Sequence, residues 1–198
     1  MMKPEFVSCA GEDFSDSSLP GLIEGQRFSG CRFNGLDFLE TELSGDVFED
    51  CSFDFVRLGG RIERCAFLNC SFRYANLLGA EFDGCKMTGS YLAGLTTAGY
   101  LISGGDWSYT ELAGLTIKKR DLSRVNFTGA NLFDCRFEDC DLSGARFDNA
   151  VVNRLSLKGS RLDGASFAFV KLGQIDFKGC SADLDFAVMF TRAHGIKI

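Results

Sequence analysis

The stretch FLNCSFRYANLLGAEFDGCKM, Phe67–Met87, decides the fold once every fifth residue is read: Phe67, Phe72, Leu77, Phe82 and Met87 are all apolar. The series continues without insertion through Leu92, Thr97, Ile102, Trp107, Leu112, Ile117, Leu122, Phe127, Leu132, Phe137 and Leu142. It ends with Phe147, Val152, Leu157, Leu162, Phe167, Leu172 and Phe177. Of these 23 positions 22 are apolar, in a chain that is 45% apolar overall, so chance does not account for the run. A helix requires spacings of three and four, and a strand requires two. A period of five means that the chain turns a corner every five residues and sends one side chain inward on each side. The repeat therefore predicts a solenoid.

Around each inward residue the pattern is consistent. Two residues before it the side chain is small, as at Ala75, Ala80, Ser90, Ala130, Ala145 and Ser160, and eight of the nine cysteines fall in the same slot. Two residues after it glycine recurs, at Gly79, Gly84, Gly89, Gly129 and Gly144 among others, where a type II turn wants positive φ. Toward the start the register runs Phe28, Phe33, Phe38, Leu43, Phe48, Phe53 and Leu58, then slips by one residue at Gly59-Gly60. An earlier slip lies between Leu19 and Phe28, and a local bulge is expected around residues 95–100. The expected organisation is a solenoid over residues 1–182 and a terminal helix and tail over 183–198.

Asp183 to Gly195 leaves the period and reads as that helix, with Asp183 as N-cap, Arg192 and His194 near the negative end and Gly195 as C-cap. Its apolar residues cover most of its circumference. One face is expected to cap the last coil and the other to meet a second copy of the chain. The expected dimer interface is Leu184, Phe186, Val188, Met189, Phe190, Ala193, His194 and Ile196.

The start, MMKPEF, has no apolar leader core, and no stretch approaches the ~18 apolar residues of a membrane span. These features predict a cytoplasmic protein that does not enter a membrane. The cysteines are spaced C-x4-C, not the C-x2-C of zinc sites, and face the interior, so they read as buried packing residues with no metal or cofactor. No G-x-S-x-G, Walker or H-E-x-x-H motif is present and the single histidine, His194, lies in the terminal helix, so an enzyme is not expected. The net charge is −6 with a pI near 4.9, which argues against direct nucleic-acid binding. Residues 1–58 hold 12 acidic and 4 basic side chains, whereas residues 59–198 hold 15 and 17. The candidate partner-binding residues are Glu40, Glu42, Asp46, Glu49, Asp50 and Asp54 in the acidic start. Glu63, Glu81, Asp83, Asp121, Asp141 and Asp163 are added along one side of the solenoid.

The segments YANLLGAEFDG, FTGANLFDC and DLSGARFDN resemble the pentapeptide-repeat family. That resemblance implies an all-β solenoid, a right-handed quadrilateral β-helix with four pentapeptides per coil, closed here by the short C-terminal α-helix. Residues one coil apart then stack at about the ~4.8 Å strand spacing. The tail pattern Asp183, Ala187, Phe190, His194, Gly195 and Ile196 is similar to that of the MfpA- and Qnr-type members, which protect DNA gyrase. The resemblance implies a homodimeric, DNA-mimicking partner of gyrase, a type II topoisomerase, with resistance to quinolones or a gyrase-directed toxin as the outcome. The alternative reading is a rigid scaffold that docks a different protein.

Overall fold

The computed structural model describes residues 8–92 and 99–197. The chain divides into two compact units, residues 1–106 and 107–198, each a stack of four-sided β-helical coils. In unit 1 one face is a parallel sheet of β1 (Ser8–Ala10), β3 (Arg27–Ser29), β5 (Val47–Glu49) and β7 (Ala66–Leu68). Another is formed by β2 (Leu22–Glu24), β4 (Glu42–Ser44), β6 (Gly60–Glu63), β8 (Ala80–Asp83) and β9 (Leu101–Ser103). The two remaining faces pair through single bridges, such as Arg32 to Ser52 to Ser71 and Asp37 to Arg57 to Asn76. In unit 2 the sheet is β10 (Thr116–Lys118), β11 (Arg136–Glu138), β12 (Leu155–Ser156) and β13 (Ile175–Asp176), and the other three faces are bridged. Helix α1 (Leu184–Ala193) closes the chain. Among the described residues no helix is long and apolar enough to cross a membrane.

The period of five becomes the core. Of the 22 described positions in the 67–177 series, 21 are buried, and Phe177 is half-buried. Thr97, and most of the expected bulge, lie outside the described residues. In unit 1 the inward rings stack coil upon coil: Phe14, Phe33, Phe53 and Phe72 follow at 5.0, 4.9 and 5.0 Å, and Phe28, Phe48 and Phe67 at 5.0 and 4.9 Å. In unit 2 the column Phe127, Phe147 and Phe167 stacks at 5.5 and 4.7 Å, beside columns of leucine. Each such side chain contributes roughly 1.5–3 kcal/mol by leaving water.

Both slips are real. Leu43 pairs with Ile62, one residue short of the usual twenty, and Gly60 at the short side has φ +69°. A side chain at Gly59 would meet Leu39 Cδ2 at 2.8 Å, so Leu39 would have to move to admit one. The earlier slip lies between Leu19 and Ile23, since Ile23 pairs with Leu43 and is an inward residue. Cys9, the cysteine outside the small slot, is inward too and pairs with Phe28.

The corners explain the small slot. At a closed corner the inward residue's carbonyl accepts from the N–H three residues on, as Ala130 N does to Phe127 O at 3.0 Å. At the Phe67 corner the Ser90 hydroxyl of the next coil is inserted between those two groups: it donates to Phe67 O at 2.9 Å and accepts from Cys70 N at 3.1 Å. Ser160 bridges Phe137 O and Cys140 N at 2.9 and 3.0 Å. The thiols do likewise. Cys51, Cys70 and Cys85 donate to Phe28 O, Phe48 O and Ile62 O and accept the N–H of Cys31, Cys51 and Cys65. Cysteine here is a small group that can both donate and accept inside a dry core, where an orphaned N–H costs free energy.

Candidate functional site

With the inward residue and the small slot used by the core, the residue just before the inward one and the two after it face outward, and the charges collect there. Unit 1 carries 16 acidic and 8 basic residues, a net of −8; unit 2 carries 11 and 13, a net of +2. The acidic surface is therefore a property of unit 1.

Register decides which carboxylates remain uncompensated. On the β4–β6–β8 face Arg61 is directly beside Glu81 and binds Glu63 at 2.7 Å and Asp83 at 2.6 Å, with Arg64 adding a 3.4 Å contact to Glu63. Asp54 accepts from the Ser71 hydroxyl at 2.5 Å and Arg73 N at 2.9 Å, tying one coil to the next. Glu40, Glu42, Glu49 and Asp50 are exposed, and none of them makes an ion pair among the described residues. In unit 2 Asp121 and Asp141 are stacked neighbours, but Arg161 follows them, 3.8 Å from Asp141 and 2.5 Å from Asp163. Asp141 is held below its ordinary pKa by Ser143, whose N–H donates to it at 2.9 Å, and Asp121 accepts from Ser123 N at 2.9 Å. The lysine side is compensated as well, with Lys118 on Glu138 at 2.7 Å and Lys158 on Asp176 at 3.1 Å.

Asp46 does not belong to the surface. It is 0% exposed and occupies the small slot before Phe48, accepting from Gln26 N at 2.8 Å and Ser44 N at 3.1 Å, with Cys65 Sγ at 3.9 Å. It satisfies the Gln26 N–H of the Ile23 corner, the half of the bridge that the inserted serines fill elsewhere. Burial pushes its pKa up, against the pull of the two N–H groups. Its position two residues before Phe48 is the signal that could have placed it inside.

Helix α1 starts as expected. Asp183 accepts from Phe186 N at 2.9 Å, and its second oxygen accepts from Gly164 N at 2.6 Å, so the cap also fastens the helix to the coil beneath. The rings of Phe186 lie 5.8 and 5.5 Å from Phe167 and Phe177, and Phe190 lies 5.7 Å from Phe177. These two residues of the expected dimer face pack against the last coil. His194 donates from Nδ1 to Phe190 O at 2.8 Å, and its ring is 4.2 Å from that of Phe190. Leu184, Ala193, His194 and Ile196 are exposed, and Val188 and Met189 are half-buried.

All nine cysteines are free, and among the described residues no group of histidine, cysteine and carboxylate side chains is placed to hold a metal ion. Burial pushes the thiols of Cys85 and Cys135 up to about 12, which suits hydrogen-bonding neutral groups rather than nucleophiles.

Residues 61–89, 121–154 and 140–179 match the family profile described as pentapeptide repeats, in eight copies. No curated protein matches the sequence. Among solved structures, full-length QnrB1, described as a plasmid-mediated fluoroquinolone resistance protein, is similar with a TM-score of 0.82 at 24% identity, over 96% of this chain and 98% of its own. A trypsin-treated form of QnrB1 gives 0.82 at 23% identity over 98% of each chain. At such identities the likeness speaks to the fold alone.

Proposed function

The chain is a pentapeptide-repeat protein, and from that premise we propose that the acidic surface of its first unit docks on the basic DNA-binding surface of DNA gyrase or a related type II topoisomerase. It acts there by binding rather than catalysis. It takes the place of a DNA segment and modulates the enzyme, with resistance to fluoroquinolones or a gyrase-directed toxin as the outcome. The observation that carries this reading is the exposed, uncompensated set Glu40, Glu42, Glu49 and Asp50 on a unit of net charge −8. The likeness to QnrB1 supports it. Opposite charge speeds such an encounter and makes it salt-sensitive. The exposed Leu184 and Ile196, with Val188 and Met189 beside them, support a homodimer through α1, since an isologous pair is the commonest way to cover such a face.

The test is a supercoiling assay with purified gyrase, with and without a quinolone. Dose-dependent inhibition, or recovery of activity in the presence of drug, fading as salt rises, is the expected result. No effect from a chain shown to be dimeric by sizing would redirect the reading to a scaffold for a different partner.

A further inference from the structure

Unit 1 carries a second outward feature that charge does not explain. The corner position two residues after the inward residue is left-handed at most corners, and Gly35 occupies it above Phe33 with φ +73°. One and two coils on, the same column holds Phe55 and Tyr74, at φ +62° and +56°. A bulky side chain in this region costs roughly 1–2 kcal/mol, yet neither ring enters the core. They are 62% and 55% exposed and stack on each other, 5.3 Å apart. On the adjoining face Leu39 and Leu78 flank Gly59 and are 42% and 59% exposed. A groove of about 620 Å³ runs past Leu39, Glu40, Glu42, Gly60 and the Arg61–Glu63 pair. A strip of two apolar patches therefore lies along the corner and face, the Phe55–Tyr74 pair and Leu39 with Leu78, divided by the polar column Asp37, Arg57 and Asn76, and Leu39 leads directly into the uncompensated Glu40 and Glu42. Scattered apolar residues on a surface need no explanation, but a strained and stacked aromatic pair beside exposed leucines does.

We propose that this strip and the acids beside it form one amphipathic docking surface for a protein segment that is both cationic and apolar. The net charge of −8 disfavours nucleic acid and anionic membranes, and the exposed leucine and aromatic side chains add an apolar contact that charge alone does not supply. A segment with lysine or arginine on one side and leucine or aromatic residues on the other matches both halves. Stacked tyrosine and phenylalanine supply the kind of anchor that dominates protein interfaces. The inference takes from the proposed function only that the partner is a basic protein, and it adds that recognition has an apolar part that salt does not screen.

The test is a titration of the full chain with an amphipathic leucine–lysine peptide and with a glycine–lysine peptide of equal charge. The leucine–lysine peptide is expected to bind at least about tenfold tighter, a difference of ~1.4 kcal/mol, and to retain binding at high salt. The double variant Phe55→Asn, Tyr74→Asn suits the left-handed backbone, so it keeps the fold, as a thermal melt will verify, and loses about that tenfold preference. Equal affinity for the two peptides, unchanged binding by the double variant, or no binding at all would overturn the proposal. Because no topoisomerase enters this experiment, its failure is separable from failure of the gyrase assay.

Discussion

The two units share one backbone plan and diverge in what they place on it. Unit 1 stacks phenylalanine upon phenylalanine, absorbs both one-residue slips and carries a net charge of −8. Unit 2 mixes one aromatic column with leucine columns, keeps an unbroken twenty-residue coil in its paired strands, has a net charge of +2 and ends under a helix. The contrast teaches that core and surface are separately adjustable in this architecture. Each coil is buried against its neighbours only, so stability is close to a nearest-neighbour sum. The outward residues can then be acidic in one unit and compensated in the other without a change of fold.

The comparison breaks most visibly in the core. Phe53 lies between Phe33 and Phe72 with both neighbours stacked, so Phe53→Ala is expected to cost about 3–5 kcal/mol in chemical denaturation. Leu142→Ala in unit 2 is expected to cost less within the leucine range, because no ring-on-ring stacking is lost with it. Equal costs would show that ring stacking adds nothing to burial.

The corner bridges come next. Ser90→Ala in unit 1 and Ser160→Ala in unit 2 each orphan a buried N–H and are expected to cost about 1–3 kcal/mol, whereas Cys51→Ser should stay near the parent. A neutral Ser90→Ala would mean that the inserted hydroxyl is incidental. A smaller difference is expected at glycine corners. Gly129, at φ +68°, lies under the Tyr109 ring, which a Cβ would meet at 2.5 Å, whereas Gly30, at φ +62°, has nothing within 4 Å. Gly30→Ala should cost only the left-handed penalty, roughly 1–2 kcal/mol, and Gly129→Ala more than that.

The smallest effect concerns pH. Asp46 has its folded pKa raised above the ordinary 3.8 by burial. Folding therefore favours its neutral form: its contribution is fully present below 3.8 and is lost as pH rises through the raised value. Asp46→Asn retains an oxygen for Gln26 N and should remove that decline, so denaturation midpoints of parent and variant diverge as pH rises through the window. Parallel curves would clear Asp46 of the effect.

Much of this was legible in the sequence because a period of five names the inward residues directly, down to the shortened side at Gly59-Gly60. The cap at Asp183 was equally local. What escaped was non-local. That Glu63 and Asp83 share Arg61, or that Asp141 and Asp163 share Arg161, depends on side chains reaching across coils. Asp46 was read as surface by its charge although its slot is that of the inserted serines and cysteines. That Phe186 and Phe190 touch Phe167 and Phe177 depends on how the helix is seated, which Asp183 fixes by two bonds, one of them to Gly164.

The most direct measurement is equilibrium binding of the full chain to gyrase with charge reversal placed in one unit at a time. Glu40→Lys with Glu42→Lys is expected to weaken binding by at least about tenfold, while Asp121→Lys with Asp141→Lys leaves it nearly unchanged. Equal losses from the two pairs, or no loss from the first, would contradict the assignment of the docking surface to unit 1.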